Sequence, residues 1–91
     1  MTDPVYELVV TPPARRAIEQ RLPEPVAAAV LDFLTTALTA TPHRLGTPLR
    51  GELAGLWSAR KGTYGLLYRI NDDLRDVIVV RIEHRRDAYR A

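Results

Sequence analysis

At 91 residues the chain has room for one modest hydrophobic core and no second, so a single domain over 1–91 is expected. A 46% hydrophobic, 26% charged composition excludes wholesale disorder, and the absence of cysteine excludes disulfides and thiolate metal sites. Net charge is only +2, too small to name a partner. With no apolar run near the roughly 18 residues of a membrane span and no signal-peptide core, the chain reads as cytoplasmic with no membrane partner.

Val5 to Val10 alternates enough for a first strand. Thr11-Pro12-Pro13 then opens a helix, with Thr11 as its cap and proline in a first turn where a missing N–H costs nothing. Ala14, Ala17, Ile18 and Leu22 form its apolar stripe, and Leu22-Pro23 ends it. A second helix begins near Glu24-Pro25 and stops before Thr41-Pro42. It sets Val26, Val30, Phe33 and Ala37 on one line with Leu31, Leu34 and Leu38 beside it. The tight proline turn between the two predicts an antiparallel helical hairpin.

From His43 to Gly55, glycine and proline with little periodicity predict an ordered loop. Strands follow at about 56–61, 64–70 and 76–83, joined through Gly62-Thr63 and Asn71-Asp72-Asp73. Such short connections make these three antiparallel neighbours. The first strand is expected at an edge, beside the second or the fourth. The fold class is α+β: a strand, a helical hairpin, then a three-stranded meander in a small twisted sheet.

Charge distribution says more than net charge. Arg44, Arg50, Arg60, Lys61 and Arg69 face only Glu52 between His43 and Asn71. After Val80 come Arg81, Arg85, Arg86 and Arg90 against Glu83 and Asp87. Basic charge gathered in one half of a small domain is the footprint of a polyanion partner. Arg85, Arg86 and Tyr89 unite charge, donors and a stacking ring where little sequence remains to require packing, which points to RNA. Trp57, Tyr64 and Tyr68 read instead as buried or half-buried sheet residues. Arg60 and Lys61 alternate, so at most one of them faces any given groove.

The order of these elements resembles the RelE/ParE superfamily of toxins from bacterial type II toxin–antitoxin pairs, above all its RelE branch. The residues that carry the likeness are Pro42-His43-Arg44-Leu45-Gly46, Pro48-Leu49-Arg50-Gly51, Leu53 to Trp57, Arg60-Lys61-Gly62-Thr63-Tyr64, Leu67-Tyr68, and His84-Arg85-Arg86 with Tyr89. The resemblance implies a RelE-like fold and a metal-independent endoribonuclease that cuts mRNA in the A site of the 70S ribosome. It also implies a cognate antitoxin, RelB-like or similar, that folds on the toxin in a hetero-oligomer.

Such cleavage deprotonates the RNA 2′-OH, protonates the leaving 5′-oxygen and stabilises charge growing on phosphate. No cofactor is implied, and His43 and His84 are too far apart in sequence to suggest a metal cluster. On the family pattern Arg85 and Arg86 contact the scissile phosphate. Tyr89 stacks on a base or joins proton transfer, and His84 titrates near neutral pH. Arg60 bonds phosphate, with Arg50 and Lys61 as further candidates. Two positions depart from the pattern: Gly65 and Ser58 stand where relatives carry cations, which is expected to weaken activity. That leaves two alternatives open, a ParE-like toxin that inhibits DNA gyrase without catalysis of its own and a degenerate module that only binds antitoxin.

Overall fold

The computed structural model describes residues 5–84, which form a five-stranded sheet in the order β1-β5-β4-β3-β2 with helices packed on one face. β1 (Glu7–Val10) alternates exposed with half-buried residues. α1 (Pro12–Arg16) widens without a break into a π-helical turn, Ala17–Arg21. α2 (Glu24–Phe33) does the same at Leu34–Leu38. There the hydroxyls of Thr35, Thr36 and Thr39 donate back to the carbonyls of Leu31, Asp32 and Thr35, a competition with the helix's own ladder that accompanies the wider turn. β3 (Trp57–Lys61), β4 (Tyr64–Asn71) and β5 (Asp76–His84) form the expected antiparallel meander.

Between the helices and the meander, the expected loop holds α3 (Pro42–Leu45), the two-residue β2 (Thr47–Pro48) and a 3-10 turn at Gly51–Leu53. β2 pairs Thr47 with Ser58 and Pro48 with Trp57. Two residues are too few to show an alternation, so this strand leaves no periodic signal. β1 lies beside β5 and parallel to it, Leu8 against Val77 and Val10 against Val79, which settles its place at the edge next to the last strand.

The core lies between the helical hairpin and one sheet face. Ala14, Ala17, Val30, Leu34 and Leu38 meet Ala59, Leu66, Tyr68, Val77, Val79 and Ile82. Leu31, expected beside the buried line, is exposed, because Val30, Leu34 and Leu38 at four-residue spacing centre the stripe on the far side of it. Thr11 does not cap α1 with its side chain. Its hydroxyl donates instead to the carbonyls of Val79 and Val80, at 3.0 and 2.8 Å, because the parallel β1–β5 pairing delivers it there.

Tyr68 is the largest fully buried side chain. Its hydroxyl donates to the Pro42 carbonyl at 2.7 Å, which removes the polar penalty of burial and ties α3 to the sheet. Burial pushes its pKa up to about 12. Gly46 lies over this hydroxyl: an added Cβ would overlap it and stand 2.8 Å from the Ser58 carbonyl. Neither group can retreat, one being held in the core and the other being strand backbone. Gly46→Ala is therefore expected to cost about 2 kcal/mol, read as a fall of roughly 10 °C in thermal midpoint. A midpoint within about 2 °C of the parent would show that this contact relaxes freely.

Candidate functional site

Strand parity sorts the candidate residues onto two faces. Arg60 pairs with Gly65, and Gly65 with Glu83, so the three form one row across β3, β4 and β5. The next row runs Thr47, Ser58, Leu67, Arg81. Both rows lie on the face opposite the helices, since the alternating neighbours Ala59, Leu66 and Ile82 are in the core. Gly65 is ordinary extended strand with open space where a side chain would stand; an added Cβ would meet only the Glu83 carbonyl, at 3.9 Å.

The two rows thus bring Arg60, Ser58 and Gly65 together, the two departing positions included. They add Arg81 and Glu83, joined by a 3.2 Å ion pair. In the sequence alone these two stand out only as charges. No local signal would have found them: alternation carried through Val77 and Val79 predicts Arg81 inward, and only the buried Ile82 between Arg81 and Glu83 shows that the two share the outer face. Arg69 lies on this face too, farther along β4, where its guanidinium reaches the loop at Gly55. Arg50 is exposed and precedes the 3-10 turn, at the opposite end of β3 from Arg60.

The other candidates face the helices. Lys61 holds its ammonium 5.7 Å from the centre of the Phe33 ring, a cation–π contact at the rim of the core. His84 pairs with Tyr64 across the strands and meets its ring edge-on at 5.1 Å. Tyr64 in turn lines an apolar cleft with Pro25, Val26, Ala29 and Val30 of α2. Arg60 and Lys61 do point to opposite faces, as their alternation requires. Trp57 and Tyr64 are half-buried and Tyr68 fully so, as expected of sheet residues. Arg85, Arg86 and Tyr89 lie outside the described residues.

His43 enters a different cluster, at the end of the sheet where β4 turns into β5. Its Nε2 lies 3.1 Å from one Asp72 carboxylate oxygen, and the Tyr6 hydroxyl donates to the other. Those hydrogen bonds, from Tyr6 first and then His43, hold the Asp72 carboxyl below the usual carboxylate range. The same bond to Asp72 raises the Tyr6 phenol. Arg75, in the left-handed region at φ 60°, lays its guanidinium 4.8 Å from the Tyr6 ring centre, and His43 meets Trp57 edge-on at 5.5 Å. These contacts fasten the entry to β1, α3 and the β4–β5 turn together. Among the described residues no cluster of three or more His, Cys, Asp or Glu could hold a metal ion, and no helix is long and apolar enough to cross a membrane.

Residues 8–89 match the family model described as the ParE toxin of the type II toxin–antitoxin system, parDE. The chain is 48% identical to Toxin RelG of Mycobacterium tuberculosis over 85 residues, covering 93% of this chain and 97% of the relative. It is 44% identical to Toxin RelE of the same organism over 88 residues, covering 97% and 90% respectively. Among solved structures, a chain in the crystal structure of the M. tuberculosis toxin–antitoxin complex RelBE2 superposes with a TM-score of 0.85 at 46% identity, over 90% of this chain and all of that one.

Proposed function

Because this chain belongs to the ParE toxin family of type II toxin–antitoxin systems, as a RelE-like member, we propose that it is a ribosome-dependent, metal-independent endoribonuclease that cuts mRNA in the A site and is silenced by a cognate antitoxin. The observation that carries this reading is the helix-free face of the sheet. It holds Arg60 and Arg81, the latter paired with Glu83, in adjacent rows around the bare backbone of Gly65, where the space a side chain would fill is open. Guanidinium groups bond phosphate through several donors at once and keep their charge at any working pH. On this surface Arg60 holds phosphate beside the scissile bond. Arg85 and Arg86, the next residues in the sequence after His84, are assigned contacts to the scissile phosphate, with Tyr89 for stacking or proton transfer.

His84 is assigned a part in proton transfer, and Lys61 and Arg50 outer phosphate contacts. The helix-side location of His84 and Lys61 makes them the first to test singly. The work is cytoplasmic, where ribosomes and translated messages are.

The antitoxin follows from the same reasoning. The similar M. tuberculosis chain comes from the crystal structure of a toxin–antitoxin complex. A RelB-like chain fits here by packing apolar residues of a helix on the hairpin, where Leu31 is exposed and Val26, Ala29 and Tyr64 line a cleft. Acidic residues on that chain would pair with Arg60 and the tail arginines, speeding association and excluding RNA.

A second reading, a gyrase-directed toxin without catalysis, draws on Ser58 and Gly65, outer-face positions that carry no charge where the family pattern expects cations. Induction without antitoxin, followed by primer extension on a translated message, separates the two. The nuclease reading expects breaks in phase with codons. Intact message together with gyrase-dependent DNA damage would establish the second.

A further inference from the structure

We propose that Arg81 supplies the phosphate-binding cation that position 65 lacks, and that a β-bulge at Val80 is what turns it onto the active face. The proposal rests on the nuclease reading and goes beyond it by naming a residue for the reaction. Val77 and Val79 are both fully buried, so in an unbroken strand Arg81 would follow them into the core. The β4–β5 register slips instead: Tyr68 pairs with Val79 and Leu67 with Arg81, leaving Val80 as an extra residue. Beyond the slip, Ile82 is buried and Arg81 and Glu83 face outward. One inserted residue exchanges the two faces, which is how bulges re-aim side chains.

The bulge is built in. Val79 and Val80 offer their carbonyls to Thr11, whose hydroxyl reaches both and whose backbone N–H also donates to Val79, at 3.1 Å. From this position Arg81 leans along its own strand to Glu83, Nη1 to Oε1 at 3.2 Å. Glu83 is the residue directly opposite Gly65, so the guanidinium is drawn toward the bare glycine and away from the far end of the sheet. The Arg81 side chain keeps 58% of its surface exposed, leaving donors for a ligand. The bulge itself serves folding by burying Ile82 in place of Arg81, but an exposed ion pair of this kind contributes little to stability, so folding does not account for the pairing of Arg81 with Glu83. Arg60 stands on the other side of Gly65. Two strand spacings separate the Arg60 and Glu83 backbones by about 10 Å, and the missing side chain between them lets a nucleotide backbone approach closely.

The test is a double-mutant cycle on the toxin freed of antitoxin. Cleavage of ribosome-bound message is followed by primer extension for the parent, Arg81→Ala, Gly65→Arg and the double variant, each with a melting curve. Arg81→Ala is expected to lower cleavage about 30-fold or more in the parent, but less than about threefold once Gly65→Arg supplies a cation nearby. A merely structural arginine would cost the same in both backgrounds. Arg81→Gln, which keeps most of the stem and hydrogen-bonding capacity, carries the same two expectations if the alanine variant does not fold. Equal losses in both backgrounds, or no loss in the first, would overturn the assignment. Codon-phased breaks from neither the parent nor Gly65→Arg would remove the nuclease reading itself, and this proposal with it.

Discussion

Replacing Arg85 and Arg86 together with alanine is expected to lower codon-phased cleavage at least about 100-fold, the scale of losing positioned donors to a developing phosphate charge. The fold should survive. Every core residue named above lies within residues 5–84, and the pairing of β5 with β4 runs on to His84 against Tyr64. The double variant should therefore melt with the parent and still bind antitoxin through the apolar hairpin surface. Primer extension at matched toxin abundance gives the rate, and a melting curve supplies the control. Cleavage within about threefold of the parent would show that the tail arginines are not the active element and shift the catalytic burden to Arg60 and Arg81.

Gly65→Arg is expected to act in the other direction, raising cleavage by roughly ten- to a hundredfold, the advantage of a cation placed directly at position 65 over Arg81 reaching in from the neighbouring row. The backbone there is extended, and a Cβ meets nothing nearer than the Glu83 carbonyl at 3.9 Å, so the side chain enters without strain. Register places it between Arg60 and Glu83. The crowding of like charge against Arg60 is offset by a carboxylate directly across the strand pair. A carboxylate has acceptor sites for more than one guanidinium, so Glu83 need not release Arg81 to receive the newcomer. The gain should appear in the cleavage rate under single-turnover conditions on programmed ribosomes. An unchanged or lower rate in a stably folded variant would mean that position 65 is not a vacant cation site.

Much of this protein was legible from local pattern. Proline and the helical spacing of Val26, Val30, Phe33 and Ala37, with Leu34 and Leu38 beside them, marked the helices, while strands on either side of a two-residue turn at Gly62-Thr63 marked the hairpin. Those signals are carried by neighbours in sequence, because helices and tight turns close their hydrogen bonds within a few residues. The same alternation separated Arg60 from Lys61 before any contact was known, and the resemblance in motif order already implied the family. Pairings decided the rest. Thr11 looks like a helix cap until the parallel β1–β5 ladder brings it to carbonyls 68 and 69 residues away. Tyr6 and His43 meet Asp72 only after the sheet has formed, across 66 and 29 residues. The bulge at Val80 is the sharpest case. Periodicity carried through Val77 and Val79 puts Arg81 in the core, and only the register against Leu67 and Tyr68 turns it outward. A strand's sequence states which residues alternate; which face each one takes is settled by the partner strand, whose hydrogen bonds fix the register and admit or refuse an extra residue.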